Sequence, residues 1–262
     1  MSRGISLVKS VVFRDVPGLR GSVRSRDCLS SWFGKMAKDD VSKKQTTKRK
    51  SKAESDSVPA SKSSKKSASA VATVPRRKDG TLEFSDYPRF RPNRTPKEVL
   101  QAGSFGGTYF RPIKSSITGE SYKDVWKELP EDWLEGLSIK RQVASSIYDE
   151  NVNRYGKKCG GSLEMWEESG WIVAQDPYGW FQWYCRFYQG RRTADDERQI
   201  GRWDRCTGEK GRWKNNLITK VVRSGSKFDS RAVSPVVRQT LLHWGYELTE
   251  EDFARGAKRV KT

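Results

Sequence analysis

Asp176 is the carboxylate with the most suggestive neighbours in this chain, preceding Pro177 and lying beside Tyr178 and Trp180. An acid among aromatic rings can activate water at an extruded base, as glycosylases do. A second cluster, Asp195-Asp196-Glu197, offers the ligand type that Mg²⁺ takes in phosphodiester chemistry. Its place just after Thr193 accounts for it more simply, as the cap and first turn of a helix, where acids complement the dipole. Cys185 and His243, the one histidine, form a candidate nucleophile and base, although a histidine on the apolar face of a helix more often belongs to the core. Gly103-x-x-Gly106-Gly107 invites a phosphate-loop reading. It lacks the Gly-Lys-Ser/Thr ending and the strand before it, so a turn before Tyr109 is the expectation. Four cysteines with no CxxC pair leave no zinc-finger spacing, and neither a metal nor a cofactor is expected.

Binding chemistry is better represented than catalysis. Residues 171–223 hold 11 basic and 6 acidic side chains. Arg186, Arg191, Arg192, Arg198, Arg202, Arg205, Arg212 and Lys214 are candidate phosphate contacts, with Arg198, Arg202 and Arg205 at the 3–4 spacing of one helix face. Tyr188 is the candidate base-stacking ring beside them. Residues 120–170 carry the opposite bias, 7 basic against 11 acidic, and are a candidate surface for a basic protein partner.

Helices must position these residues. Thr95-Pro96-Lys97-Glu98 reads as a capping box with proline at the first helical position, stopped by Gly103. Ser121 opens a run with Tyr122, Val125, Trp126 and Leu129 at helical spacing, Ser138 opens 139–150, and Ser162 opens a short helix that Gly170 stops. Helices are expected at 194–205, about 212–223, 235–248 and from Thr249 onward, the first three as a helix-turn-helix-like trihelical unit. Residues 178–188 carry seven aromatics in eleven positions, which as a helix would be apolar nearly all round and belong in the centre of a bundle. Thr108-Tyr109-Phe110 and Trp171-Ile172-Val173 are short strand candidates. The fold class is therefore mainly α, one Trp-rich α-helical domain over residues 81–252 with a small β-hairpin.

The formal charge of +19 is concentrated outside that domain. Residues 1–35 hold seven basic residues, seven serines and two acids, the composition of a mitochondrial or plastid transit peptide, or else an extension upstream of Met36. Residues 36–80 are rich in Lys and Ser, and beyond Met36 they contain no aromatic residue. Such a segment is expected to be a disordered basic tail, and 253–262 a second basic tail. Lys43, Lys44, Lys48, Arg49 and Lys50, with Lys258, Arg259 and Lys261, have the clustering of nuclear localisation signals read by import receptors. No stretch approaches the roughly 20 apolar residues of a membrane-spanning helix.

Two segments, 103–113 (GSFGGTYFRPI) and 176–192 (DPYGWFQWYCRFYQGRR), resemble a family of uncharacterised proteins scattered among eukaryotes. The resemblance covers about residues 84–250 and implies one domain and no assigned chemistry. The expectation from the residues is a nucleic-acid-associated nuclear protein that binds DNA or RNA. The alternatives are an enzyme acting on nucleic acid, centred on Asp176 or on Asp195, Asp196 and Glu197, and a protein-interaction module.

Overall fold

In the computed structural model, which describes residues 74–260, the aromatic run forms helix α4 (Trp180–Tyr188), with eight of its nine residues buried. Phe90, from the segment before the first helix, inserts among the α4 rings. It lies 5.5–6.2 Å from the rings of Trp180, Trp183, Tyr184 and Phe187, and 5.1 Å from Trp203. Edge-on pairs of this kind contribute about 0.5–1.5 kcal/mol each beyond the area they bury. The buried indole N–H groups are satisfied: Trp180 donates to His243 O, Trp183 to Asp196 Oδ1 and Trp203 to Trp244 O. The central-helix expectation for 178–188 holds.

Around α4 lie α1 (Pro96–Ala102), α2 (Glu131–Leu134) and α3 (Leu163–Glu168) on the N-terminal side, and α5 (Asp196–Thr207), α6 (Arg212–Ser224), α7 (Pro235–His243) and α8 (Glu250–Ala257) on the C-terminal side. Helical turns take 44% of the described residues. The only sheet among them is an antiparallel pair, β1 (Ile113–Lys114) with β2 (Ser121–Tyr122) in the register Ile113↔Tyr122. The described residues are thus mainly helical and Trp-rich with one small hairpin. Helix α6 packs on α5, α7 and α8, so the three expected C-terminal helices do form one packed unit.

The caps behave as their chemistry requires. Thr95 Oγ1 accepts from the Glu98 amide at 3.1 Å while the Glu98 carboxylate accepts from the Thr95 amide at 2.7 Å, closing the capping box. Ser162 and Thr249 cap α3 and α8 by accepting from the Met165 and Asp252 amides, without the reciprocal bond.

Several expectations are corrected. The run from Ser121 is not one helix, because Asp124 adopts a left-handed backbone (φ 58°). That breaks it into β2 and a 3₁₀ turn at Val125–Glu128. Of 139–150 a single π turn, Ile139–Val143, winds up, and Glu150 opens a short 3₁₀ turn, Glu150–Val152. The following amides leave the helical ladder for the glycine turn, with Ser145 N donating to Gly107 O and Asp149 N to Gly106 O. Thr108–Phe110 is a turn, and 171–173 contributes one isolated bridge, Val173 to Asp176. Helix α7 stops at His243 because Gly245 reverses the chain with φ 67°. Residues on either side of 81–252 also make contacts with the helical body. Arg76 bridges to Leu82 and donates to Gly80 O, Asn93 O and Glu98. At the other end α8 runs past residue 252, its Gly256 set against Ile218.

Candidate nucleic-acid interface

Asp176 lies in a turn closed by its own amide on Val173 O (2.9 Å) and by the Gly179 amide on its carbonyl (2.8 Å). Its side chain is fully buried. Oδ1 accepts from Arg186 Nη1 at 2.9 Å and Arg191 Nη1 at 2.8 Å, and Oδ2 accepts from Arg191 Nη2 at 2.6 Å and Gln175 Nε2 at 3.1 Å. Arg186 continues to Glu128, with Nε at 3.1 Å and Nη2 at 2.7 Å. Two guanidinium groups and two carboxylates therefore close into a neutral network in which every oxygen of Asp176 is engaged. Both oxygens of this buried carboxylate are occupied by protein donors, an arrangement that fits a structural role. Tyr178 turns away from it, donating its hydroxyl to Arg111 O.

Four further members of the expected basic set are also engaged by the fold. Arg192 pairs with Asp86 at 2.5 Å and lies 3.8 Å over the Phe187 ring. Arg198 is bidentate on Asp195 at 2.5 and 2.9 Å. Arg202 is buried, donates to Gln199 Oε1 at 3.0 Å, and sits between the rings of Trp171 and Trp244. Lys214 is buried against Asp252 at 3.4 Å, and desolvation pushes its pKa down. Tyr188 is buried edge-on to Trp133 and offers no stacking face. The 3–4 spacing of Arg198, Arg202 and Arg205 describes one helix face correctly, but that face packs around Trp171 and leaves only Arg205 exposed.

The other candidates separate likewise. Asp195 holds Arg198, Asp196 accepts from Thr193 N and Trp183 Nε1, and Glu197 pairs with Arg89. The three acids diverge, and among the described residues no three His, Cys, Asp or Glu side chains converge as a metal-ligand group. His243 faces Cys159, not Cys185: Sγ lies 3.4 Å from Nδ1, while Nε2 accepts from the Phe105 amide at 2.8 Å. An Nε2 that accepts an N–H bond carries no proton, so the neutral ring holds its proton on Nδ1 and directs it at the sulfur. Burial holds His243 near pKa 3 and pushes the Cys159 thiol to about 12, which keeps both neutral and Cys159 a poor nucleophile. The glycine turn is no phosphate cradle either. Gly106 N donates to Asn153 Oδ1 at 2.8 Å, and a Cβ on Gly107 would lie 2.0 Å from Arg141 O.

The outer face of α6 is exposed. Trp213, Leu217, Ile218 and Val221 bury its inner side, and Gly225 ends it in the left-handed conformation. Arg212, Asn216, Lys220 and Arg223, spaced at i, i+4, i+8 and i+11, are exposed. They fall within one quadrant of the helix over about 16 Å. The thirteen residues of α6 contain no acid. Lys210, Lys227 and Arg231 are exposed beside it, and the neighbouring Glu209 faces Arg259 at 3.6 Å. Lys220 and Arg223 are absent from the candidate contacts read from the sequence, although their spacing of three within an expected helix is the signal that places them on one face, while Lys214 in the same run points inward.

In the acidic region, Glu128 and Glu167 turn inward, the latter accepting from Ser115 and Ser116, while Glu131, Asp132 and Glu135 stay exposed. Lys258 and Arg259 close the end of α8. Lys43, Lys44, Lys48, Arg49, Lys50 and Lys261, with all of residues 1–35, lie outside the described residues. No helix among the described residues is long and apolar enough to cross a membrane. No protein-family model, no curated protein and no solved structure matches the chain.

Proposed function

We propose that the protein binds nucleic acid through the sugar–phosphate backbone, with the outer face of α6 as the folded contact and the basic clusters at the chain ends adding non-specific affinity. The observation that carries this reading is an acid-free helix with Arg212, Lys220 and Arg223 on one exposed face, in a chain whose formal charge is +19. Cations spaced along one face meet a phosphate row as point charges, and each phosphate neutralised releases condensed counterion. The clusters Lys43–Lys50 and Lys258–Lys261 fit the same reading, as import signals that bring the protein to the nucleus.

The test is a salt titration of binding to duplex and single-stranded oligonucleotides for the full chain and for Lys220→Glu/Arg223→Glu. Each lost phosphate contact should flatten the log–log salt slope by about 0.7–0.9. Exposed charge changes of this type usually cost less than about 0.5 kcal/mol of stability. An unchanged slope and affinity in the double variant would remove α6 from the interface.

A further inference from the structure

A cavity of about 400 Å³ opens beside the glycine turn, within the range of about 300–1,000 Å³ in which small-molecule sites fall. Its walls carry the rings of Phe105, Tyr109, Tyr148, Trp166 and Tyr178, and Arg111 and Lys158 line it as well. No carboxylate lines it. Glu164, exposed on α3, is close enough to feel the Arg111 charge, yet the two form no ion pair. Arg111 makes one long bond, 3.3 Å to Thr108 O, and Lys158 lies 5.2 Å over the Tyr148 ring. Neither cation has a carboxylate partner among the described residues, in contrast to Arg186, Arg191, Arg192 and Arg198.

Three of the rings are held in place by hydrogen bonds at their hydroxyls. Tyr109 donates its hydroxyl to Tyr178 O and accepts from Gln182 N. Tyr178 donates to Arg111 O, and the Tyr148 hydroxyl accepts from Asn153 Nδ2. Phe105 is clamped by its amide bond to His243 and by stacking on that imidazole at 3.9 Å. Tyr109 and Tyr178 are buried, so the π surface left for a ligand lies on the half-buried rings of Phe105, Tyr148 and Trp166, which favours a planar partner. Burial raises the pKa of Tyr148, and of Tyr178 to about 12, so neither phenol adds a negative charge at neutral pH.

We propose that this cavity binds a nucleotide, its base stacked among the rings and its phosphate held by Arg111 and Lys158. Two cations with no acid between them call for an anion, and the ring-lined walls call for a flat aromatic body attached to it. A nucleotide is the common biological molecule that joins the two. The ligand is either a free mononucleotide or an unpaired nucleotide of a strand. The inference stands on these residues alone and does not depend on α6.

The experiment is isothermal titration of the full chain with adenosine 5′-monophosphate, adenosine and inorganic phosphate, then with a short duplex containing or lacking one unpaired adenine. Charge-assisted hydrogen bonds to the phosphate should make the monophosphate bind at least roughly tenfold more tightly than adenosine. Arg111→Gln/Lys158→Gln should erase that advantage while leaving adenosine binding and the urea midpoint unchanged. Trp166→Ala should weaken both ligands. Binding confined to the duplex with the unpaired adenine, lost in Arg111→Gln/Lys158→Gln but kept in Lys220→Glu/Arg223→Glu, would support the site and identify the strand as the source. Monophosphate and adenosine binding equally, affinity surviving in Arg111→Gln/Lys158→Gln, or no binding of any of these probes would each overturn the proposal.

Discussion

Truncating Asp176 to Ala tests whether the arginines of 186–192 belong to the fold or to a binding surface. The side chain has no exposed surface and accepts four hydrogen bonds, three of them from guanidinium groups. Its removal leaves Arg191, whose side chain is 26% exposed, without a counter-charge, while Arg186 keeps Glu128. Deleting one partner of a buried ion pair costs about 3–5 kcal/mol. In a domain of this size each kcal/mol moves Tm by about 2–4 °C, so Asp176→Ala should lower Tm by roughly 6–20 °C. Arg191→Ala should cost less, about 1.5–3 kcal/mol, because Arg186 still holds the carboxylate. The two losses share a contact, so the double variant should fall short of their sum by at least about 1 kcal/mol. Urea unfolding followed by tryptophan emission measures all three, with m unchanged if only stability has altered. The loss should persist in 1 M salt, since an enclosed pair is screened much less than an exposed one. A change below about 1 kcal/mol in Asp176→Ala, or strict additivity in the double variant, would refute the structural role.

Other perturbations follow from the same geometry. The His243 pKa, depressed from 6.5 to about 3 by burial, means that the unfolded chain takes up a proton there before the folded one does. Stability should therefore be full above pH 6.5 and decline as pH falls, by up to about 1.4 kcal/mol per unit; urea midpoints between pH 7 and 5 should show that slope in the native chain and a flatter one in His243→Gln. Gly107→Ala forces a side chain into a backbone at φ 75° with Arg141 O 2.0 Å from the new Cβ. Soluble folded yield should collapse, and a near-native circular dichroism spectrum with an unchanged Tm would show that the turn yields. Trp183→Ala opens a void beside Phe90 and leaves Asp196 Oδ1 without its indole donor, so calorimetry should register a loss of about 3–5 kcal/mol.

Much of the scaffold was legible from local chemistry. The capping box at Thr95, the Ser162 and Thr249 caps, the aromatic helix at 180–188 and the amphipathic run of α6 depend on residues within a few positions of one another, and short-range physics sets them. The run from Ser121 and the segment 139–150 do not form the helices their side-chain spacing predicts, because their backbone bonds go elsewhere, to β1 and to the glycine turn. A helical pattern in side chains cannot reveal a competing partner of that kind.

The fate of the charges was decided by the tertiary structure. Arg192 meets Asp86 from 106 positions away and Arg186 meets Glu128 from 58, separations at which the sequence carries no pairing signal. The basic excess of 171–223 is real, yet folding pairs Arg186, Arg191, Arg192 and Arg198 with carboxylates and leaves exposed a face of α6 that the composition did not distinguish. The ring-lined cavity is likewise drawn from separate stretches at 105–113, 146–148, 158–166 and 178. Sequence alone determined that this chain is basic, aromatic and helical. Which cations remain available to a ligand was settled only when the chain closed, because a carboxylate cancels a charge through space and not along the chain.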